Sequence, residues 1–325
     1  MVLSQSLPLV AVEYSRRQRL EIQSAVAALL RQWSRMGSEF DASWLAIEPT
    51  LLTITGVAQR RLAASAQGYV TNVLEETGQL RAVPVVGSAN VPALVGVAGD
   101  GRPVESLLYG SVVKAKQAVG AGATVPQALQ AGREFMSLAG GSLFSDTARQ
   151  SESLGMGIRR RPVSGYVRML QTPSCPRCVI LAGKWFKRNQ GFQRHPGCDC
   201  RHIPTSEAVG GDLTIDPNAY VESLSDSELD AWLGKANADA VREGADLNQV
   251  VNARRGMTTA QIGGRQVRVT TEGTTRRGLA NRALAPSNSP RSSNRRPRLM
   301  PEHISSIAKN RDDYLRLLRA NGYLL

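Results

Sequence analysis

Cysteine is confined to one short part of this chain. Cys175, Cys178, His195, Cys198, Cys200 and His202 lie within 28 residues and account for all four cysteines and two of the three histidines. Thiolate and imidazole are the ligands that satisfy tetrahedral zinc, and two short ligand pairs separated by a loop can close around one ion. Cys175 and Cys178 form the first pair, with Pro176 and Arg177 making the turn that aims both sulfurs at one point. Sixteen residues follow before His195, Cys198, Cys200 and His202. The second group exceeds what one ion needs, so at least two of its members are bystanders. The candidate ligands are Cys175, Cys178, His195, Cys198 and Cys200, with His195 and one of Cys198 or Cys200 expected to complete the site. Arg177, Lys184, Arg194 and Arg201 surround them, and nearby cations favour the thiolate that binds metal.

Other uses of these residues fit less well. Disulfides belong to exported modules, whereas the rest of this long chain has no cysteine and its start reads as no secretory signal. Metal-free thiols are the remaining alternative. A catalytic zinc is not expected. A nucleobase deaminase would need a His-x-Glu or Cys-x-Glu ahead of its cysteine pair, and no histidine precedes Cys175. His-Glu-x-x-His, Gly-x-Ser-x-Gly and the phosphate-binding Gly-Lys-Ser/Thr loop are also missing. A closed structural zinc and a non-enzymatic role are therefore expected.

The elements that must hold this cluster are mainly helical. Ile22, Val26, Leu29, Leu30 and Trp33 recur at three- and four-residue intervals, which predicts an amphipathic helix. A second helix is expected to begin near Ile47 with Pro49 in its first turn and to run towards Gly78. Val83 to Arg102, rich in Pro and Gly, reads as an irregular crossing. Three shorter helices are expected at Val104 to Val119, Val125 to Leu138 and Ser142 to Leu154, the last two parted by Gly140 and Gly141. Val163 to Leu170 is β-prone. Trp185, Phe186 and Phe192 are expected to pack over the metal. Helical periodicity returns from Asp216 to Val241, where Ser225 and Glu228 have the spacing of a capping box, and Val267 to Thr271 reads as a strand. The fold class is thus mainly α with a small zinc-stapled α+β unit and a flexible basic arm near the C-terminus. The expected divisions are a helical domain 1–155, a zinc unit 156–206, a mixed helical segment 207–284, a basic linker 285–300 and a docking helix 301–325.

Composition agrees with a protein drawn to polyanions: 325 residues carry a formal net charge of +13, and the pI is about 10.2. The charge alternates along the chain. Ser151 to His202 holds ten bases against two acids, and Ile203 to Val250 ten acids against two bases. Such alternation suggests internal pairing or two faces of opposite sign. No apolar run approaches the roughly 18 to 20 residues that span a bilayer, so a soluble protein is expected.

The order Cys175-Pro-Arg-Cys178, then Ala182-Gly183-Lys184-Trp185-Phe186, then His195-Pro-Gly-Cys198-Asp-Cys200-Arg201 resembles the head-morphogenesis domain of phage Mu F-like minor capsid proteins. The more usual ending is Cys-Arg-Cys, and here Asp199 replaces the middle Arg. The run from Thr270 to Arg277 with the basic, Leu-rich end resembles the actinobacterial-phage branch of that family. The specific likeness covers about residues 155 to 205. It implies a low-copy protein of the tailed-phage head, made in the host cytoplasm and carried in the virion near the portal. Its implied partners are the portal protein, capsid or scaffold proteins and packaged DNA, with no membrane. Two alternatives come from other classes. One is an intracellular zinc module binding nucleic acid through Arg159 to Arg161 and Lys184 to Arg188. The other is a zinc-dependent nuclease or processing enzyme of the phage head, with Asp199 and Glu207 as the nearby acids.

Overall fold

The computed structural model describes residues 7–80, 87–159, 163–170, 174–182, 184–191, 198, 200–213, 216–262, 264–274, 280 and 297–324. Among them the fold is mainly helical with a small amount of antiparallel sheet. The chain divides into two compact units, Val2–Thr172 with Lys184–Thr214, and Pro173–Gly183 with Ile215–Leu325.

The first unit is built on four long helices, α1 (Leu9–Trp33), α2 (Phe40–Glu76), α3 (Val104–Gly120) and α4 (Val125–Gly157). The apolar spacing read from α1 places Leu29 and Trp33 in a core with Trp44, Leu51, Leu62, Leu108, Met136 and Phe144. Trp33 spends its one polar atom on the Leu129 carbonyl, its Nε1 donating at 3.0 Å. At the other end of α1 the amides of Leu9 and Val10 donate to the Glu76 carboxylate at 2.6 and 2.9 Å. The last residue of α2 therefore caps a helix start that has no side-chain cap of its own.

Two expectations about the helices are corrected. α2 begins at Phe40, so Pro49 lies inside it. Pro49 faces solvent, as does Leu45 one turn earlier, so water can serve the carbonyl left without a donor. α4 runs without a break through Gly140 and Gly141. Its glycines serve packing: a Cβ on Gly132 would sit 2.3 Å from the Trp33 ring, and one on Gly140 would sit 3.0 Å from Leu29 Cδ1. The start of α4 is fixed by a capping box between Thr124 and Gln127.

Below the far ends of α1, α2 and α4 lies a three-stranded antiparallel sheet of order β2-β1-β3, with β1 Gly165–Met169, β2 Trp185–Lys187 and β3 Arg201–Thr205. Tyr69, Val70, Leu74, Met156, Tyr166, Val167 and Ile203 form its core. Trp185 and Phe186 join that core. Gly165 and Gly210 let the indole approach so closely that a Cβ at either would overlap it. Phe192 lies outside the described residues. A one-turn helix, α6 (Glu207–Gly210), follows β3.

The second unit contains α5 (Pro176–Val179), α7 (Pro217–Glu222), α8 (Asp226–Leu233), α9 (Lys235–Arg242), α10 (Leu247–Ala253), the strands β4 (Met257–Ile262), β5 (Arg265–Thr270) and β6 (Arg298–Leu299), and the helices α11 (Pro301–Ile307) and α12 (Arg311–Ala320). The capping box expected at Ser225 and Glu228 starts α8. The acidic run pairs internally: Arg242 reaches Asp226, Asp230 and Asp239 at 2.7 to 2.9 Å. The strand expected near Val267 is β5, and β4 is its antiparallel partner. The single docking helix expected over 301–325 is two helices. Their apolar residues Ile304 and Leu318 are buried with Ala240, Val250 and Tyr323 of the same unit rather than left for a partner. Arg298 ties this end together. Its guanidinium donates to the carbonyls of Glu272, Asn321 and Gln249 at 3.1 to 3.4 Å and lies 4.3 Å from the Tyr323 ring centre. The basic linker falls outside the described residues up to 296.

Candidate metal centre

Cys175 and Cys178 are placed by one helical turn. Cys175 is the N-cap of α5, with Pro176 behind it in the first turn, and its Sγ accepts from the Cys178 amide at 3.4 Å. Proline at that position costs no intrahelical bond and presets the backbone angle, so the Cys-Pro-x-Cys order itself forms the turn. Ile180 and Leu181 anchor it among Leu229, Leu233, Leu247 and Val251. The indole of Trp232 donates to the Ser174 carbonyl at 2.6 Å.

Cys198 and Cys200 are held by arginines. Arg149 of α4 donates from Nε to the Cys200 carbonyl at 2.9 Å, from Nη2 to the Cys198 carbonyl, and from Nη1 to Asp146 at 2.8 Å. Arg168 of β1 donates from Nη2 to Cys198 Sγ at 3.4 Å. Arg201, the first residue of β3, reaches the Ser145 carbonyl at 3.4 Å. Arg149, Arg168 and Arg201 are 3%, 1% and 1% exposed, and guanidinium is the cation that tolerates such burial when its donors are used. Burial and the neighbouring Arg201 push the Arg149 pKa down, while Cys198, Asp146 and Glu152 oppose the shift.

The Sγ atoms of Cys178, Cys198 and Cys200 lie within 4.8 Å of one another, and all three residues are buried. This is a three-thiol cluster able to coordinate a metal. The four cysteines are present as thiols. Cys175 is outside the group in which every sulfur lies within that distance of the others, and His195 lies outside the described residues. No protein family, characterised protein or solved structure matches this chain.

His202 is engaged elsewhere. Its Nδ1 meets Glu152 Oε2 at 3.0 Å, its amide reaches the same oxygen at 3.3 Å, and its carbonyl accepts from Tyr69 at 2.6 Å. Tyr14 donates to the other Glu152 oxygen at 3.1 Å and stacks on Tyr69 with ring centres 3.8 Å apart. Burial by itself would raise the Glu152 pKa. The His202 hydrogen bond and charge, with Arg201, outweigh it and hold the carboxyl below its ordinary value. Burial and the Glu152 charge keep both tyrosines strongly protonated. Sequence reading missed this network because its successive members stand 50 to 83 residues apart along the chain and share no motif. The one available signal was an acid, Glu152, on the buried side of an apolar helical pattern. Of the cations proposed for phosphates, Arg159 bonds Thr71 at 2.8 Å, Lys184 and Lys187 are exposed, and 160 and 161 lie outside the described residues.

Proposed function

We propose that this chain is a minor capsid protein of a tailed phage, acting in head morphogenesis near the portal, with a zinc ion as a structural staple. The reading is supported by the gathering of Cys178 with Cys198 and Cys200, because these thiols come from both halves of the motif that resembles the Mu F-like head-morphogenesis domain. The donor set fits the ion. Thiolates about 2.3 Å from zinc stand about 3.8 Å from one another, a spacing within the limit the three sulfurs already meet. A bound zinc would need a fourth ligand from outside this group, for which His195 and Cys175 are the candidates the sequence offers. Zinc so held contributes folding energy and leaves no open position for substrate, which favours a structural part over the nuclease or processing enzyme.

Protein mass spectrometry of purified particles from the encoding phage tests this, by comparing peptides of the chain with those of the portal and major capsid proteins. A few copies per particle are expected. Absence from both procapsids and mature particles would sink the reading.

A further inference from the structure

Residues 251–300 contain eleven arginines, no lysine and a single acid, Glu272. That stretch supplies ten of the chain's thirteen net positive charges. Its described core is the antiparallel hairpin of β4 and β5, which pair from Met257 opposite Thr270 to Ile262 opposite Arg265. β4 is the terminal strand of the order β4-β5-β6, and every residue in it is exposed except the half-buried Ala260. Val267 and Val269 of β5 are 3% and 2% exposed, so one face of the ribbon is anchored.

Residues directly opposite in an antiparallel pair share a face. The other face therefore carries Thr259 with Arg268 and Gln261 with Gln266. Arg255 stands exposed two residues before β4. No acid occurs between Ala253 and Thr271, and neither Arg255 nor Arg268 has an acidic partner among the described residues. Arg254 and Arg298, by contrast, are committed to backbone carbonyls within the unit.

We infer that the β4–β5 hairpin is a docking surface for duplex DNA, with Arg255 and Arg268 on phosphates and Thr259, Gln261 and Gln266 towards the groove. Two strands about 4.8 Å apart make a ribbon that the major groove, about 12 Å wide, admits. Hydroxyl and amide side chains bond phosphates and base edges alike. The exclusive use of arginine matches the two-pronged geometry of phosphate recognition. The inference rests on charge and strand geometry, and stands whether or not the chain is a head protein.

The test is fluorescence anisotropy of the full-length protein with a labelled 24-bp duplex across a salt series. The comparison proteins are R255E/R268E and, away from the hairpin, K184E/K187E. All four positions are exposed, and matching circular-dichroism melts check that the fold is kept. R255E/R268E is expected to lose at least about tenfold in affinity and to flatten the log-affinity against log-salt slope by about two, near 0.9 per lost phosphate contact, while K184E/K187E binds as the parent. Absence of binding by the parent at low salt overturns the inference. So does equal affinity of R255E/R268E and the parent, equal loss in K184E/K187E, or better competition by single-stranded RNA or anionic vesicles than by unlabelled duplex.

Discussion

Glu152 shows how much one buried charge can govern. It sits on α4 with both oxygens used, by Tyr14 and by His202. Because its pKa is lower folded than unfolded, the unfolded chain binds the extra proton. The stabilisation is fully present above the unfolded carboxyl value, about 4.5, and is lost as pH falls through the depressed folded value. Glu152→Gln should flatten this acid limb and cost about 3–5 kcal/mol at pH 7, since His202 and Arg201 would lose their buried anion. Urea melts of both proteins from pH 3 to 7 measure this, and parallel curves would remove the assignment. The thiols were legible as a group from their crowding in the sequence, and the structure gathers Cys178, Cys198 and Cys200. What spacing left open was which of Cys198 and Cys200 joins the site, and both stand with Cys178. His202, left out of the candidate ligands, is held by a carboxylate fifty residues away on α4.

Among the elements, α1 was legible because a long amphipathic helix announces itself by period alone. The start of α2 was not, because Glu39 makes no side-chain cap bond and Pro49 looks like a first-turn residue. α4 misleads for a related reason: glycine in a sequence signals a break, while in a helix it also permits close approach. The two uses separate by mutation. Gly132→Ala would drive a methyl into the Trp33 ring and to 2.7 Å from the Ser111 carbonyl. That should destabilise by about 1–3 kcal/mol despite alanine's better helix propensity. At Gly141 a Cβ meets nothing within 4 Å, so Gly141→Ala should stabilise by about 0.5–1 kcal/mol. Thermal melts read both, and a neutral Gly132→Ala would refute the close packing of α4 against α1 and α3. β4 escaped sequence reading because its half-polar residues lack the alternation of a strand with one buried face.

For the whole molecule, the sequence conveyed helix content and the crowding of sulfur, and it left the tertiary partners of the C-terminal helices unread. Their amphipathic pattern suits a foreign surface or their own unit equally well, and Ile304 and Leu318 go to the latter. No helix among the described residues is long and apolar enough to cross a membrane. Should zinc staple the fold, its removal is a whole-molecule event, because binding energy to the folded state alone appears as stability. Purified protein should hold about one zinc by elemental analysis, and a strong chelator at pH 7 should lower its melting temperature by several degrees. Cys178→Ser and Cys198→Ser should mimic that loss and no longer respond to chelator. Unchanged metal content and melting in both variants would refute the staple.

The interleaving of the chain imposes an order in time. Pro173–Gly183 belongs with Ile215–Leu325, and the apolar cover for Ile180 and Leu181 comes from Leu229, Leu233, Leu247 and Val251. On the ribosome, Cys175 and Cys178 emerge some seventy residues before Val251 completes that cover. At about 5–20 residues per second, these two thiols spend several seconds exposed before the residues beside them, Ile180 and Leu181, are covered. During that interval capture by metal competes directly with oxidation, so the nascent chain's environment decides which thiol chemistry the finished molecule inherits.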